Sequence, residues 1–244
     1  MNEDLENIQY STIQNYQYEQ WFHEVQYSGK ELNNAEREEF LKRVDEYFAQ
    51  HLEGLPLMKN ILDSIKDKHD IFHEIQRTIV SVSQFCLITM IDSMVLGKYF
   101  ILANKDYDRK LMRGKLRVVL NEGFKKLYGF NDKNRGNSEW NKLASVLKYF
   151  PAEIKQQYNY LSSLLEDYSK SSSWWRDERD VETHLDTEKL YNSRCEDLIE
   201  SKVMMESLKL YETLLAVNNF LFNMHSCINN FLIDKYKRGE LNEA

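Results

Sequence analysis

Arg179, Asp180 and His184 are the residues of this chain whose types and spacing could do chemistry together. They stand in Ser171-Ser-Ser-Trp-Trp-Arg-Asp-Glu-Arg-Asp-Val-Glu-Thr-His-Leu-Asp186, the one stretch where an aromatic pair, a dense polar cluster and a histidine meet. An imidazole with an ordinary pKa of about 6.5 exchanges protons at neutral pH, so His184 suits a general base or acid. Arg179 offers a permanent fork of N–H donors to charge developing on anionic oxygens. Asp180 lies four residues before His184 and can orient its ring, as carboxylates do in many histidine sites. On a straight helix, residues five apart differ by about 140° in direction and about 7.5 Å in rise. Arg179 and His184 therefore share a site only where the helix ends or distorts between them, which β-branched Val181 and Thr183 favour.

An Arg followed by a polar residue and, after four intervening positions, a His resembles the signature of the HEPN superfamily. Many members of that superfamily are metal-independent ribonucleases. The context agrees: the motif follows one helical stretch, precedes a long apolar one, and is flanked by Trp174 and Trp175. The resemblance covers residues 171–236 firmly and the helices from Ile71 onward loosely; residues 1–55 have no counterpart. It implies an all-α helical bundle that cleaves RNA through attack of the ribose 2′-OH on the adjacent phosphorus. The enzyme then supplies neither nucleophile nor metal, no cofactor is expected, and the need for a 2′-OH restricts the substrate to RNA. In that chemistry Arg179 and His184 are catalytic and Asp180 positions the histidine. The resemblance further implies a homodimer in which two motifs face one cleft, a toxin–antitoxin or phage-defence setting, and a cognate antitoxin, either nucleotidyltransferase-like or small and acidic.

Other residues compete for a function. From Lys105 to Arg117 the chain places Lys105, Arg109, Lys110, Arg113, Lys115 and Arg117 against Asp106 and Asp108, a basic patch in a chain of net charge −7. Arg109, Lys110, Arg113 and Arg117, with Arg176 beside the motif, are candidates to hold an RNA backbone, although a solvated helix face has the same composition. His69-Asp-x-x-His73 has the spacing that puts two imidazoles on one helix face, as in a zinc pair, but no third ligand is identifiable and no Glu fills the H-E-x-x-H pattern. A metal-binding protein built on these two histidines is therefore a minor alternative. His225 lies on an apolar helix, where a packed histidine is the commoner role. Cys86, Cys195 and Cys227 are odd in number and without CxxC spacing, which points to free thiols in a reducing compartment. Walker and GxGxxG motifs are absent.

The elements that must position these residues are helical. Two Pro and eight Gly in 244 residues favour long uninterrupted helices, and 42% hydrophobic with 13% aromatic residues can fill a core. Residues 1–34, rich in Asn, Gln, Tyr and Glu, read as an arm with little helical periodicity, and residues 35–244 as a single all-helical domain. Helical spacing begins with Phe40, Leu41, Val44, Phe48 and Leu52, and Gly54-Leu-Pro56 is expected to break that helix. A helix Leu57–Ile65 follows, then Ile71–Ala103 with Ile75, Ile79, Val82, Cys86, Met90 and Met94 as its central stripe. Next come Tyr107–Tyr128, with Leu111, Leu116, Val119, Leu120, Phe124 and Leu127 inward, a loop over Gly129–Ser138, a helix opened by Ser138, and Ala152–Tyr168. Tyr158 and Tyr160 read as packing residues. From Glu188 to Tyr236 the pattern is helical, with a face of Leu208, Tyr211, Leu214, Leu215, Leu221, Phe222, Ile228 and Phe231 broad enough for a core or a dimer seam. No uninterrupted apolar run approaches 18 residues and the acidic, polar N-terminus is no secretory signal, so a cytoplasmic protein without a membrane span is expected. The alternative to an enzyme is a non-catalytic helical module for protein interaction or dimerisation.

Overall fold

The structure is a computed structural model and describes residues 33–129, 135–171, 187–195 and 200–237. Among these residues it is all-α, with seven α-helices: α1 (Asn34–Ile65), α2 (Ile71–Leu102), α3 (Asp106–Leu127), α4 (Glu139–Val146), α5 (Ala152–Ser171), α6 (Thr187–Cys195) and α7 (Glu200–Lys237). A short 3-10 turn, Leu147–Tyr149, extends α4. The expected arm at residues 1–34 lies outside the described residues except for its last two.

The central element is α2, because its sequence is apolar on most of its circumference. Ile75, Ile79, Val82, Cys86 and Met90 are buried as their spacing predicts, and so are Val80, Leu87, Ile91, Phe100 and Ile101. A helix buried on so many sides needs several partners, and α1, α3 and α7 pack along it while α4 adds a smaller contact. Asp70 starts the helix: its carboxylate accepts from the His73 backbone N–H at 3.1 Å and contacts the His73 ring. The His73 contact holds the Asp70 carboxyl below its usual range.

Three contacts fix the direction of α1 along α2. Lys98 pairs with Asp45, Gly54 lies under Leu87, and Arg77 donates to the Ile65 carbonyl at 2.8 Å. The residue numbers run in opposite senses, so the two helices form an antiparallel hairpin. Here the structure corrects one expectation. Gly54-Leu-Pro56 does not end a helix, because α1 continues through Pro56 to Ile65. Proline removes one backbone N–H and crowds the preceding turn. Packing of Leu55 and Met58 on the core, with Leu87 close over Gly54, carries the helix across that position.

A three-residue turn returns the chain from α2 into α3, and the approach there is close. A Cβ on Gly123 would stand 2.5 Å from Thr89 Cγ2, so glycine is what lets α3 lie this near α2. Leu116, Leu120, Phe124 and Leu127 fill the core side of α3, while Leu111 and Val119 are only half-buried. Gly129 closes the helix in the left-handed conformation (φ 85°) with its N–H on the Phe124 carbonyl.

Ser138 caps α4 as expected, accepting from the Asn141 N–H at 3.1 Å. Trp140 stacks on Tyr158 of α5 with ring centroids 4.5 Å apart and donates to Ser162 Oγ at 2.9 Å. Burial pushes the Tyr158 hydroxyl up to about 12. Tyr128 donates to Glu166 at 3.2 Å, and Arg135 pairs with Glu166 while lying 5.0 Å from the Tyr128 ring centre. Tyr158 is thus a packing residue, whereas Tyr160 faces solvent.

The helix α7 buries Leu210, Leu214, Val217, Phe220, Leu221, Met224 and Ile228 against α2 and α5. Phe222 was expected on this face but is 70% exposed, since it lies about 100° around the helix from Leu221. By length and composition α2 is apolar enough to cross a bilayer, a property that a search for uninterrupted apolar runs misses. More than half of its most apolar stretch is buried inside the bundle, as in the core helix of a globular protein.

Candidate functional site

Arg179, Asp180, His184 and Arg176, with Trp174 and Trp175, lie outside the described residues. What the structure gives is the ground on either side of them. The described residues resume at Thr187, three after His184, where α6 starts, and those before the motif run to Ser171 in α5. From α6, Arg194 donates through Nη1 to the Lys110 carbonyl at 3.2 Å, which ties the segment following the motif to the first turns of α3.

That end of α3 carries the basic residues. Lys110, Arg113 and Arg117 are only 6%, 5% and 6% exposed. At 100° per residue, positions 113, 117 and 121 form one ridge, with Lys110 beside it. This corrects the expectation of an open phosphate-binding face: the row is turned into the protein. Lys110 pairs with Asp106 at 2.7 Å, and Arg109, half-buried, donates through Nε to the Ala103 carbonyl at 2.8 Å, bracing the turn between α2 and α3. Long basic side chains bury their stems along apolar neighbours and need counter-charges for their heads, so a basic run in the sequence does not tell which way it faces. Asn121 ends the ridge. It is fully buried, and neither atom of its amide has a hydrogen-bond partner among the described residues.

The His69–His73 pair is also corrected. The helix begins at Ile71 behind its Asp70 cap, so His69 sits in the preceding turn and not one helical turn below His73, whose ring is engaged by Asp70. Among the described residues no group of three His, Cys, Asp or Glu side chains could hold a metal ion. His225 is half-buried on α7, with Nδ1 3.2 Å from the Asn229 amide nitrogen. Cys86, Cys195 and Cys227 are free, and burial pushes the Cys86 thiol far above its ordinary range, with the Glu139 charge adding to the effect. A buried neutral thiol of this kind is no nucleophile.

Two features were not read from the sequence. At the interface of α1 and α7, the His51 ring stacks on Tyr211 at 5.8 Å, with Nε2 3.2 Å from the Tyr211 hydroxyl, and burial lowers the His51 pKa. Tyr99 and Tyr107, on either side of the turn between α2 and α3, and Tyr191 on α6 are 58%, 62% and 68% exposed. The Tyr191 hydroxyl is hydrogen-bonded to Cys195 one turn further along α6, which raises its pKa. Aromatic residues in excess of what the core uses were the available signal. Comparison with known protein families, curated proteins and solved structures finds no match to this chain.

Proposed function

We propose that this chain is a metal-independent endoribonuclease of HEPN type, with Arg179 and His184 catalytic and Asp180 positioning the histidine. The observation that carries the reading is the Arg179-Asp180-x3-His184 motif standing in the chain just before the last two helices of an all-α bundle. The hydrogen bond from Arg194 to the Lys110 carbonyl sets α6, the helix after the motif, beside α3. In this reading the ribose 2′-OH loses its proton to one imidazole and attacks the adjacent phosphorus. The 5′-oxygen leaves with a proton from a second, giving a 2′,3′-cyclic phosphate and a 5′-hydroxyl. Arg179 stabilises the charge on the non-bridging oxygens. Two such histidines require a homodimer, and a cytoplasmic toxin of this type requires a cognate antitoxin.

A mixed RNA pool incubated with the protein in EDTA tests the proposal. Wild type cuts and leaves 2′,3′-cyclic phosphate ends; His184→Ala remains folded and does not cut. Equal cutting by the two proteins removes His184 from the mechanism. A second reading, a non-catalytic dimerisation module, is favoured by Phe222, a large apolar side chain on α7 left to solvent. It expects no cutting by either protein.

A further inference from the structure

The contacts of α2 place its neighbours around its circumference and leave one arc over. At about 100° per residue, Leu87 and Thr89 lie about 160° apart on the helix, with Gly97 midway between them. Gly54 of α1 sits under Leu87, Gly123 of α3 lies against Thr89, and Ser207 of α7 faces Gly97. The residues on the other side of α2 are Phe85, Ile88, Asp92, Val95, Tyr99 and Leu102, all within about 60° of the point opposite Gly97. Ile88, Tyr99 and Leu102 are 43%, 58% and 47% exposed, Asp92 is open too, and Phe85 and Val95 are half-buried. A helix that turns one face to water normally carries polar side chains there. Here every residue of the arc but Asp92 is apolar or aromatic, and a contiguous stripe of that kind marks a binding surface.

The steps along this stripe are 3, 4, 3, 4 and 3 residues, the spacing at which one helix seats another. From Phe85 to Leu102 it runs about 26 Å, nearly five turns, enough to seat a helix of about 18 residues. Asp92 near its centre says what that helix brings. No charged or hydrogen-bonding group among the described residues acts on its carboxylate, whose pKa burial raises. Covered by a wholly apolar surface, Asp92 becomes a buried unpaired charge; covered by one that carries a cation, it gains an ion pair. Lipid is a poor occupant for the same reason. A second copy offering the same stripe has no cation in it, and residues 1–32 hold six acidic residues against one lysine.

We infer that the outward stripe of α2, from Phe85 to Leu102, is the docking site for an amphipathic helix of a partner protein that sets a lysine or arginine against Asp92. The partner helix lies on the face of α2 that α7 leaves open. Its cation has apolar neighbours three or four residues away on each side, which meet Ile88, Val95 and Tyr99. The inference goes beyond the ribonuclease reading and does not depend on it, since no residue of the stripe belongs to the motif.

The experiment uses the full chain and two fluorescein-labelled helical peptides of about 20 residues, read by anisotropy. Both carry leucine at the same alternating spacing of three and four; one has a single lysine at the centre of that row, the other a glutamate. The lysine peptide binds at least about tenfold more tightly than the glutamate peptide, and Asp92→Lys reverses the order. Ile88→Ser and Tyr99→Ser, at positions already open to water, keep the thermal melt of the parent and weaken the lysine peptide about tenfold. Tyr160→Ala, at an exposed tyrosine on α5, leaves binding unchanged. Equal binding of the two peptides, an order that Asp92→Lys does not reverse, or binding of neither peptide overturns the inference. So does a dimer in light scattering that Ile88→Ser dissociates, which gives the stripe to a second copy. Flotation with phosphatidylcholine vesicles that Ile88→Ser abolishes gives it to lipid and overturns the inference as well.

Discussion

Replacing Gly123 by alanine tests the close approach of α3 to α2. Two effects oppose each other. Alanine in a helix interior is favoured over glycine by about 1 kcal/mol. The new Cβ, however, would lie 2.5 Å from Thr89 Cγ2, where carbon atoms rest at about 3.5–4.0 Å, so at least about 1 Å must be found. Thr89 cannot turn away freely. It is β-branched, it is buried, and its hydroxyl donates to the Phe85 carbonyl at 3.0 Å. Overpacking of this kind costs about 1–3 kcal/mol, and rotating Thr89 would add a lost hydrogen bond of about 0.5–1.5 kcal/mol. Strain outweighs propensity, and Gly123→Ala is expected to destabilise by about 1–3 kcal/mol, lowering Tm by about 2–12 °C for a chain of this size. Thermal unfolding followed by far-ultraviolet circular dichroism reads this directly. Thr89→Ser removes Cγ2 and keeps the hydroxyl, so Gly123→Ala in that background should melt at or above Thr89→Ser alone. A single variant that melts no lower than wild type, or a double variant that recovers nothing, would refute the account of how α3 meets α2.

Asn121→Leu exchanges a fully buried amide without hydrogen bonds among the described residues for an apolar side chain of similar size. It should raise stability by about 1–2 kcal/mol in chemical denaturation, and a loss instead would mean that the amide has an essential partner. The stacked His51 is held neutral by burial, with a folded pKa below 6.5. Below about pH 6.5 the unfolded chain takes up the proton more readily, so stability falls as pH drops from there toward the folded pKa. His51→Phe should flatten that part of the stability–pH profile, measured by denaturant unfolding at a series of pH values, and an unchanged slope assigns it to another group.

The helices were legible because the sequence interrupts them so rarely. Ile71–Leu102 and Asp106–Leu127 lie within a residue of the expected bounds, and Ser138 caps α4 as its type foretells. Pro56 misled because a local rule was overridden by packing from α2, which is distant in sequence. The span Glu188–Tyr236 reads as strongly helical, and its described residues lie in helices, Thr187–Cys195 and Glu200–Lys237. The orientation of the basic row could not be read, since arginine and lysine have the same formal charge whether their stems lie inward or outward. Gly123 and Asn121 are likewise silent in the sequence, because what matters at each is how near a neighbouring helix comes. Of the candidate site, Arg179, Asp180 and His184 lie outside the described residues, so their reading rests on residue types and spacing alone. The exposure of Tyr99, Tyr107 and Tyr191 required the fold, since a tyrosine at helical spacing reads equally as core.

The placement of α2 also sets an order of events during synthesis. Its partners α1 and α3 are neighbours in sequence and can pair with it early, but α7 comes last and covers another side. The ribosome must add 135 residues between Leu102 and Lys237, roughly 7–27 s at about 5–20 residues per second. Throughout that interval a helix apolar enough to resemble a membrane segment stands with one flank uncovered. For several seconds that flank is open to competing apolar surfaces. Arrival of the last helix ends that competition.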